Sequence, residues 1–225
     1  APGCMREVAR WVLPRPWVFG HRRSMSPTIR TILSPCLLAC ALVGGAGCER
    51  VAGFFSEPQA QVESPQRYEK DGISFEYPGN WKLGEETSEE NGVTVHNITV
   101  ESAGNAILMV QTFKPAVPLD LATHFELVMN AMQEEVDKQV GGLADGSRGA
   151  VTDFQRQFLG EQRPGKRGEM TVTILGEKVP GVVSMFVAGL EDRTVLLFST
   201  VPDADRAKVE PGFDQVIDSL KIATK

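Results

Sequence analysis

Few side chains in this 225-residue chain combine a reactive type with a useful spacing. Past residue 48 there are two histidines, His96 and His124. A zinc site would need both imidazoles in one place, and a general base would need one of them beside a carboxylate. His96 sits between Val95 and Asn97 in a strand-like run, and His124 sits at the edge of a helical apolar stripe. Only the fold can bring them together. Glu85, Glu86, Glu89 and Glu90 crowd the stretch GEETSEENG. Carboxylate oxygens suit calcium, but this spacing is not that of an EF-hand, and the stretch reads as a solvated loop. Arg163, Lys166 and Arg167 fall in RPGKRG, which reads as a basic hairpin tip, either solvated or facing an acidic partner or lipid phosphates. The glycine-rich GGLADGSRG (141–149) reads as a loop, and no P-loop, dinucleotide fingerprint or GxSxG elbow occurs in the chain. No catalytic, cofactor-binding or metal constellation stands out, so the expectation is a non-enzyme without a cofactor.

The cysteines point elsewhere. Cys4, Cys36, Cys40 and Cys48 all lie in the first 48 residues, so the rest of the chain has no disulfide framework. Charge is split at the same place. Residues 1–30 carry six arginines against one acid, Glu7, and residues 31–48 carry no charge. Beyond Cys48 there are 17 basic and 28 acidic residues, a net of -11. An acidic body argues against nucleic acid, because phosphates need a basic face. A membrane-spanning helix needs about 20 apolar residues. The run TILSPCLLACALVGGAG is shorter and contains Pro35, so it reads as the hydrophobic region of an export signal. Met25 offers a start that leaves SPTIR as a short basic leader.

Ala46-Gly47-Cys48, with Gly45 ahead of it, resembles a bacterial lipoprotein signal. That resemblance implies cleavage before Cys48 and acyl chains on its sulfur. Small residues before the cut let the backbone lie in a peptidase cleft. Gly45 departs from the usual leucine. Leu37-Leu38-Ala39-Cys40 matches the residue pattern better, but it leaves a very short hydrophobic region and an exposed ALVGGAG. Cys48 is therefore the favoured lipidation site. Ordinary secretion with cleavage near Ala46 is the alternative. Residues 1–48 are thus read as leader and signal peptide. Residues 49–66, rich in Glu, Gln, Ser and Pro, are read as a flexible tether. In such a bacterial setting the sequon Asn97-Ile98-Thr99 carries no weight.

Residues 67–225 have the length of one domain. Ile73, Phe75 and Tyr77 alternate with polar residues until Pro78-Gly79-Asn80 breaks the run. Trp81 follows as a core anchor. Strands are expected at 93–102, 106–113, 151–159, 169–175, 181–190 and 193–201. VVSMFV and VLLFS are apolar on both alternating faces, which predicts strands covered on both sides. Leu121, Phe125, Val128, Met132 and Val136 recur at helical spacing, with Asp120 as N-cap and Gly141-Gly142 as stop. Pro211 predicts the first turn of a last helix carrying Phe213, Val216, Ile217 and Leu220. The expected fold class is α+β: an α/β/α sandwich with a central antiparallel sheet of about six to seven strands flanked by helices.

The opening YEKDGISFEYPGNWKL (68–83) and the closing FDQVIDSLKI (213–222) resemble the PsbP-like superfamily. Its members include the extrinsic lumenal subunit of photosystem II, DcrB-type bacterial lipoproteins and the Ran-binding Mog protein. The resemblance spans 67–225 and implies a sheet flanked by helices, with a binding or assembly role instead of catalysis. The expectation is a periplasm-facing envelope lipoprotein, held to the membrane by its lipid anchor, that binds a protein partner. The alternative is a small-ligand binder with a pocket between sheet and helix.

Overall fold

The computed structural model describes residues 59–139, 144–174 and 176–223. Its elements are β1 (Gln66–Lys70), β2 (Ile73–Tyr77), β3 (Lys82–Glu90), β4 (Val93–Glu101), β5 (Ile107–Lys114), α1 (Leu121–Gln139), β6 (Ala144–Phe158), β7 (Glu161–Ile174), β8 (Glu177–Gly189), β9 (Thr194–Pro202), α2 (Arg206–Ser219) and β10 (Lys221–Ile222). Seven strands form one antiparallel sheet in the order β3-β4-β5-β9-β8-β7-β6, and β1, β2 and β10 form a smaller sheet. The class is mixed α+β, as expected; the second sheet was not anticipated from sequence.

The central strands of the seven-stranded sheet are buried on both faces. Every residue of β9 from Thr194 to Val201 is buried. Alternation sends Val195, Leu197 and Val201 into one apolar cluster and Leu196 and Phe198 into the other. α1 brings Phe125, Val128, Met129 and Met132 to the second cluster. α2 brings Val209, Phe213, Val216 and Ile217 to the first, beside Tyr68, Ile73, Phe75 and Tyr77 of the small sheet. That face is thus covered by helix and sheet together, which amends the expected simple sandwich. The reason is width: seven strands about 4.8 Å apart span roughly three helix diameters, more than one helix can cover.

Several boundaries differ from the sequence reading. Pro211 lies inside α2, not in its first turn. The helix starts at Arg206 because Val209 is already on the buried stripe, and its burial outweighs the one backbone bond that proline cannot donate. The stretch 141–149 is not wholly loop: β6 begins at Ala144. RPGKRG is not a hairpin tip but lies within β7. The turn falls instead at Leu159-Gly160, with φ of 52° and 80°. Gly165 is in the strand because a Cβ there would sit 2.6 Å from Phe186 Cε1 and 2.8 Å from Phe154 Cζ. Those two rings meet edge-on at 4.9 Å.

A bulge in β6 between Arg148 and Val151 decides which helices the strand holds. It inserts one extra residue, so side chains of equal parity before and after it point to opposite faces. Arg148 accordingly reaches Glu126 and Asn130 of α1, each at 2.7 Å. Arg156 reaches Asp214 at 2.7 Å and Asp218 at 2.9 Å on α2.

Two expectations hold at the helices and turns. Asp120 caps α1, its Oδ1 accepting from the Thr123 amide at 2.8 Å. Trp81 is a core anchor, 3% exposed and edge-on to Phe213. Residues 59–66, read as part of the tether, lie against the domain. The Ala60 amide donates to Lys208 O at 3.0 Å, Asn80 Nδ2 donates to Gln59 O at 2.9 Å, and Ala60 is buried. Their polar composition is offset by backbone hydrogen bonds, so the packed part begins ahead of residue 67. Cys40, Cys48, residues 49–58 and Gly141-Gly142 lie outside the described residues.

Candidate functional site

Among the described residues a group of titratable side chains forms where the small sheet meets the β3–β4 corner of the large one. Asp71-Gly72, with φ of 52° and 77°, makes the tight turn between β1 and β2. That turn carries Tyr68, Lys70 and Asp71 towards β3 and β4. β3 supplies Glu85, and β4 supplies His96, which alternation places on the same face as Ile98 and Val100.

His96 is 6% exposed. Its Nε2 lies 2.9 Å from Glu85 Oε1 and 3.5 Å from the Tyr68 hydroxyl. The carboxylate contact means that Nε2 carries the proton it donates to Glu85. Lys70 Nζ donates to the same Glu85 oxygen. This lysine bond chiefly holds the Glu85 carboxyl below the usual carboxylate range, with His96 adding to it and partial burial opposing. Burial, followed by the negative charges of Glu85 and Asp71, pushes the Tyr68 phenol up to about 12. Tyr68 also stacks on Phe75, with centroids 5.1 Å apart.

One ligand atom each from Asp71, Glu85 and His96 lies within 4.8 Å of the others. Two carboxylates and an imidazole have the donor chemistry for a divalent cation. The ammonium of Lys70 already stands on Glu85, so such an ion would have to displace it. In the structure Lys70 supplies the cation that stands on Glu85.

The other residues marked from sequence do not converge. His124 lies on α1 against the opposite face of the large sheet from His96, so no histidine pair forms. Its Nε2 is buried without a partner, and burial lowers its pKa. The four glutamates are not in a loop: they lie along β3, where alternation puts Glu85 and Glu89 on one face and Glu86 and Glu90 on the other. They cannot close around calcium. The basic trio is also dispersed. Arg163 pairs with Glu161 at 2.7 Å, Lys166 pairs with Asp153 at 2.7 Å, and Arg167 lies over the Phe154 ring at 5.0 Å. Asn97 is buried and accepts from Gln111 Nε2 at 2.7 Å, which removes it as a glycan acceptor. Sequence reasoning did not single out Tyr68, Lys70 or Asp71; the Asp-Gly turn signal could have found them.

No family model matches the chain, and no curated protein matches it. Solved structures do. The chain is similar to a cyanobacterial PsbP. That protein, from Synechocystis, has 16% identity and a TM-score of 0.44, over 72% of this chain and 94% of its own. LpqN of Mycobacterium tuberculosis, described as involved in cell envelope biogenesis, has 9% identity and a TM-score of 0.36, over 72% of this chain and 90% of its own. A Bacteroides thetaiotaomicron protein has 13% identity and a TM-score of 0.34, over 71% of this chain and 49% of its own.

Proposed function

We propose that this chain is a non-catalytic lipoprotein of the bacterial envelope, anchored through acyl chains on Cys48 and facing the periplasm, whose PsbP-like domain binds a protein partner. The observation that carries this reading is the order of segments: an arginine-rich leader, an uncharged stretch ending in Ala46-Gly47-Cys48, then a strongly acidic folded body. Each buried methylene of an acyl chain contributes about 0.8 kcal/mol, so two or more chains hold a soluble domain at a bilayer where one does not. The domain's packing sets its distance. Among the described residues the first buried one is Ala60, twelve positions after Cys48, a reach of about 40 Å at full extension. The domain therefore works close to the membrane surface.

The test is intact-mass analysis of the mature chain from a bacterial envelope, alongside Cys48→Ser. A mass that begins at Cys48 and includes acyl chains is expected, with the variant released into the soluble fraction. A bare thiol at Cys48, or a chain cut beyond it, sinks the anchor.

A further inference from the structure

We propose that the outer edge of β3 receives an extended, lysine- or arginine-rich segment of a partner protein as an added strand. This rests on the reading of the domain as a protein binder. β3 ends the strand order and is paired with β4 on one side; among the described residues no strand pairs with its other side. An unpaired edge presents a row of backbone donors and acceptors that a further strand can satisfy.

The side chains specify the occupant. Within nine residues β3 carries four glutamates and one lysine, Lys82. Directly opposite residues of an added strand would lie about 5 Å from these positions, Cβ to Cβ. Both faces of the edge are acidic, so basic residues are favoured on both faces of the occupant. Glu85 is occupied by Lys70 and His96. Glu86, Glu89 and Glu90 have no ion-pair partner among the described residues. They ask for one basic residue, two intervening residues and two adjacent basic ones. Lys70 shows the chemistry within the chain: a lysine from a neighbouring strand seats its ammonium on a β3 carboxylate. A second copy of the same edge would set carboxylates against carboxylates, so self-pairing is disfavoured.

Other surfaces offer less. β6, the opposite edge, has its arginines committed to α1 and α2. The exposed large hydrophobics, Val151 on β6 and Val179 on β8, face different positions of the intervening β7, Gly168 and Val172, and form no patch.

The experiment uses the full chain with three synthetic peptides that differ in their cores: Lys-Lys-Val-Thr-Lys-Lys, its Glu-Glu-Val-Thr-Glu-Glu counterpart, and Lys-Lys-Pro-Pro-Lys-Lys. The last has the charge but cannot pair as a strand. Binding is followed by fluorescence anisotropy and by amide hydrogen exchange across residues 82–90. The first peptide should bind, slow exchange along β3 and weaken as salt rises. The combined Glu86→Gln, Glu89→Gln and Glu90→Gln variant should bind it roughly tenfold more weakly. The proline and glutamate peptides should show no slowing of β3 exchange. Equal binding of the proline peptide, unchanged exchange in β3, or undiminished affinity of the triple variant overturns the proposal. Co-purification from the envelope separates the two levels. A partner retained equally by the triple variant defeats the edge assignment alone, whereas no partner and no peptide binding defeats the protein-binding reading as well.

Discussion

Replacing Gly212 with alanine should destabilise the domain, although the same change in most helix interiors stabilises it. Gly212 is buried in α2. Alanine there gains about 1 kcal/mol in helix propensity. The new Cβ would, however, sit 2.5 Å from Trp81 Cη2, 2.6 Å from Trp81 Cζ2 and 2.7 Å from Pro78 Cγ. Carbon atoms pack best about 3.5–4.0 Å apart, so the shortfall is roughly 1 Å on two sides at once. Trp81 cannot retreat freely, since it is buried and rests on Phe213 at 5.5 Å. Overpacking of this kind costs about 1–3 kcal/mol. The balance is a loss of up to about 2 kcal/mol, read as a lower urea midpoint with an unchanged m-value. Trp81→Phe removes the part of the ring that Gly212 accommodates. In the double variant the penalty of the alanine should fall by about 1 kcal/mol, a coupling that a double-mutant cycle measures. If Gly212→Ala unfolds at the same or a higher midpoint, the close packing of α2 on Trp81 is wrong.

His124 provides a pH-dependent check. Burial lowers its pKa from the ordinary 6.5, so as pH falls below 6.5 the unfolded chain takes up a proton that the folded chain refuses. Stability from this group is present above pH 6.5 and is lost as pH falls towards the folded value, at no more than about 1.4 kcal/mol per pH unit. His124→Leu should flatten that segment of the stability curve, and an unchanged slope refutes the assignment. Arg156→Ala should cost about 1 kcal/mol or less, because Asp214 and Asp218 are largely exposed, and the cost should shrink in high salt; a larger, salt-independent loss would mean that the arginine acts through its packed stem instead.

What could be read from the residues divides by how local the signal is. The strands from 181 onwards were legible because VVSMFV and VLLFS are apolar on both faces, which only a doubly covered strand tolerates. α1 was legible from its period and its Asp120 cap. Trp81 was legible because an aromatic after a turn must fold back into the core. β3 was not, because four glutamates in GEETSEE outweigh any apolar alternation, and an edge strand needs little burial to exist. Its turn was nevertheless written in the chain: Asn91-Gly92 adopts φ of 52° and 76°, the hairpin pair that asparagine and glycine favour. Asp71-Gly72 carried the same message for β1. RPGKRG misled in the opposite way. Its proline and two glycines look like a turn, but Gly165 and Gly168 are small because rings from Phe154, Phe186 and Phe125 press on that strand. Glycine required by packing and glycine required by a turn are identical in sequence, and only the partner across the sheet tells them apart.

The candidate site follows the same logic. His96 read as a mid-strand histidine, and nothing local could say that Tyr68 and Glu85 would close over it, since both contacts depend on how the small sheet lands on the large one. Once they do, the polar atoms of that corner are taken up with one another: Lys70 and His96 both serve Glu85, and the tyrosine is held protonated. Glu86, Glu89 and Glu90 have no ion-pair partner among the described residues, and they stand on both faces of β3 beside an unpaired backbone edge. The capacity for recognition therefore sits on an open rim of the sheet, and a partner that is extended and basic is the one that gains most by meeting it.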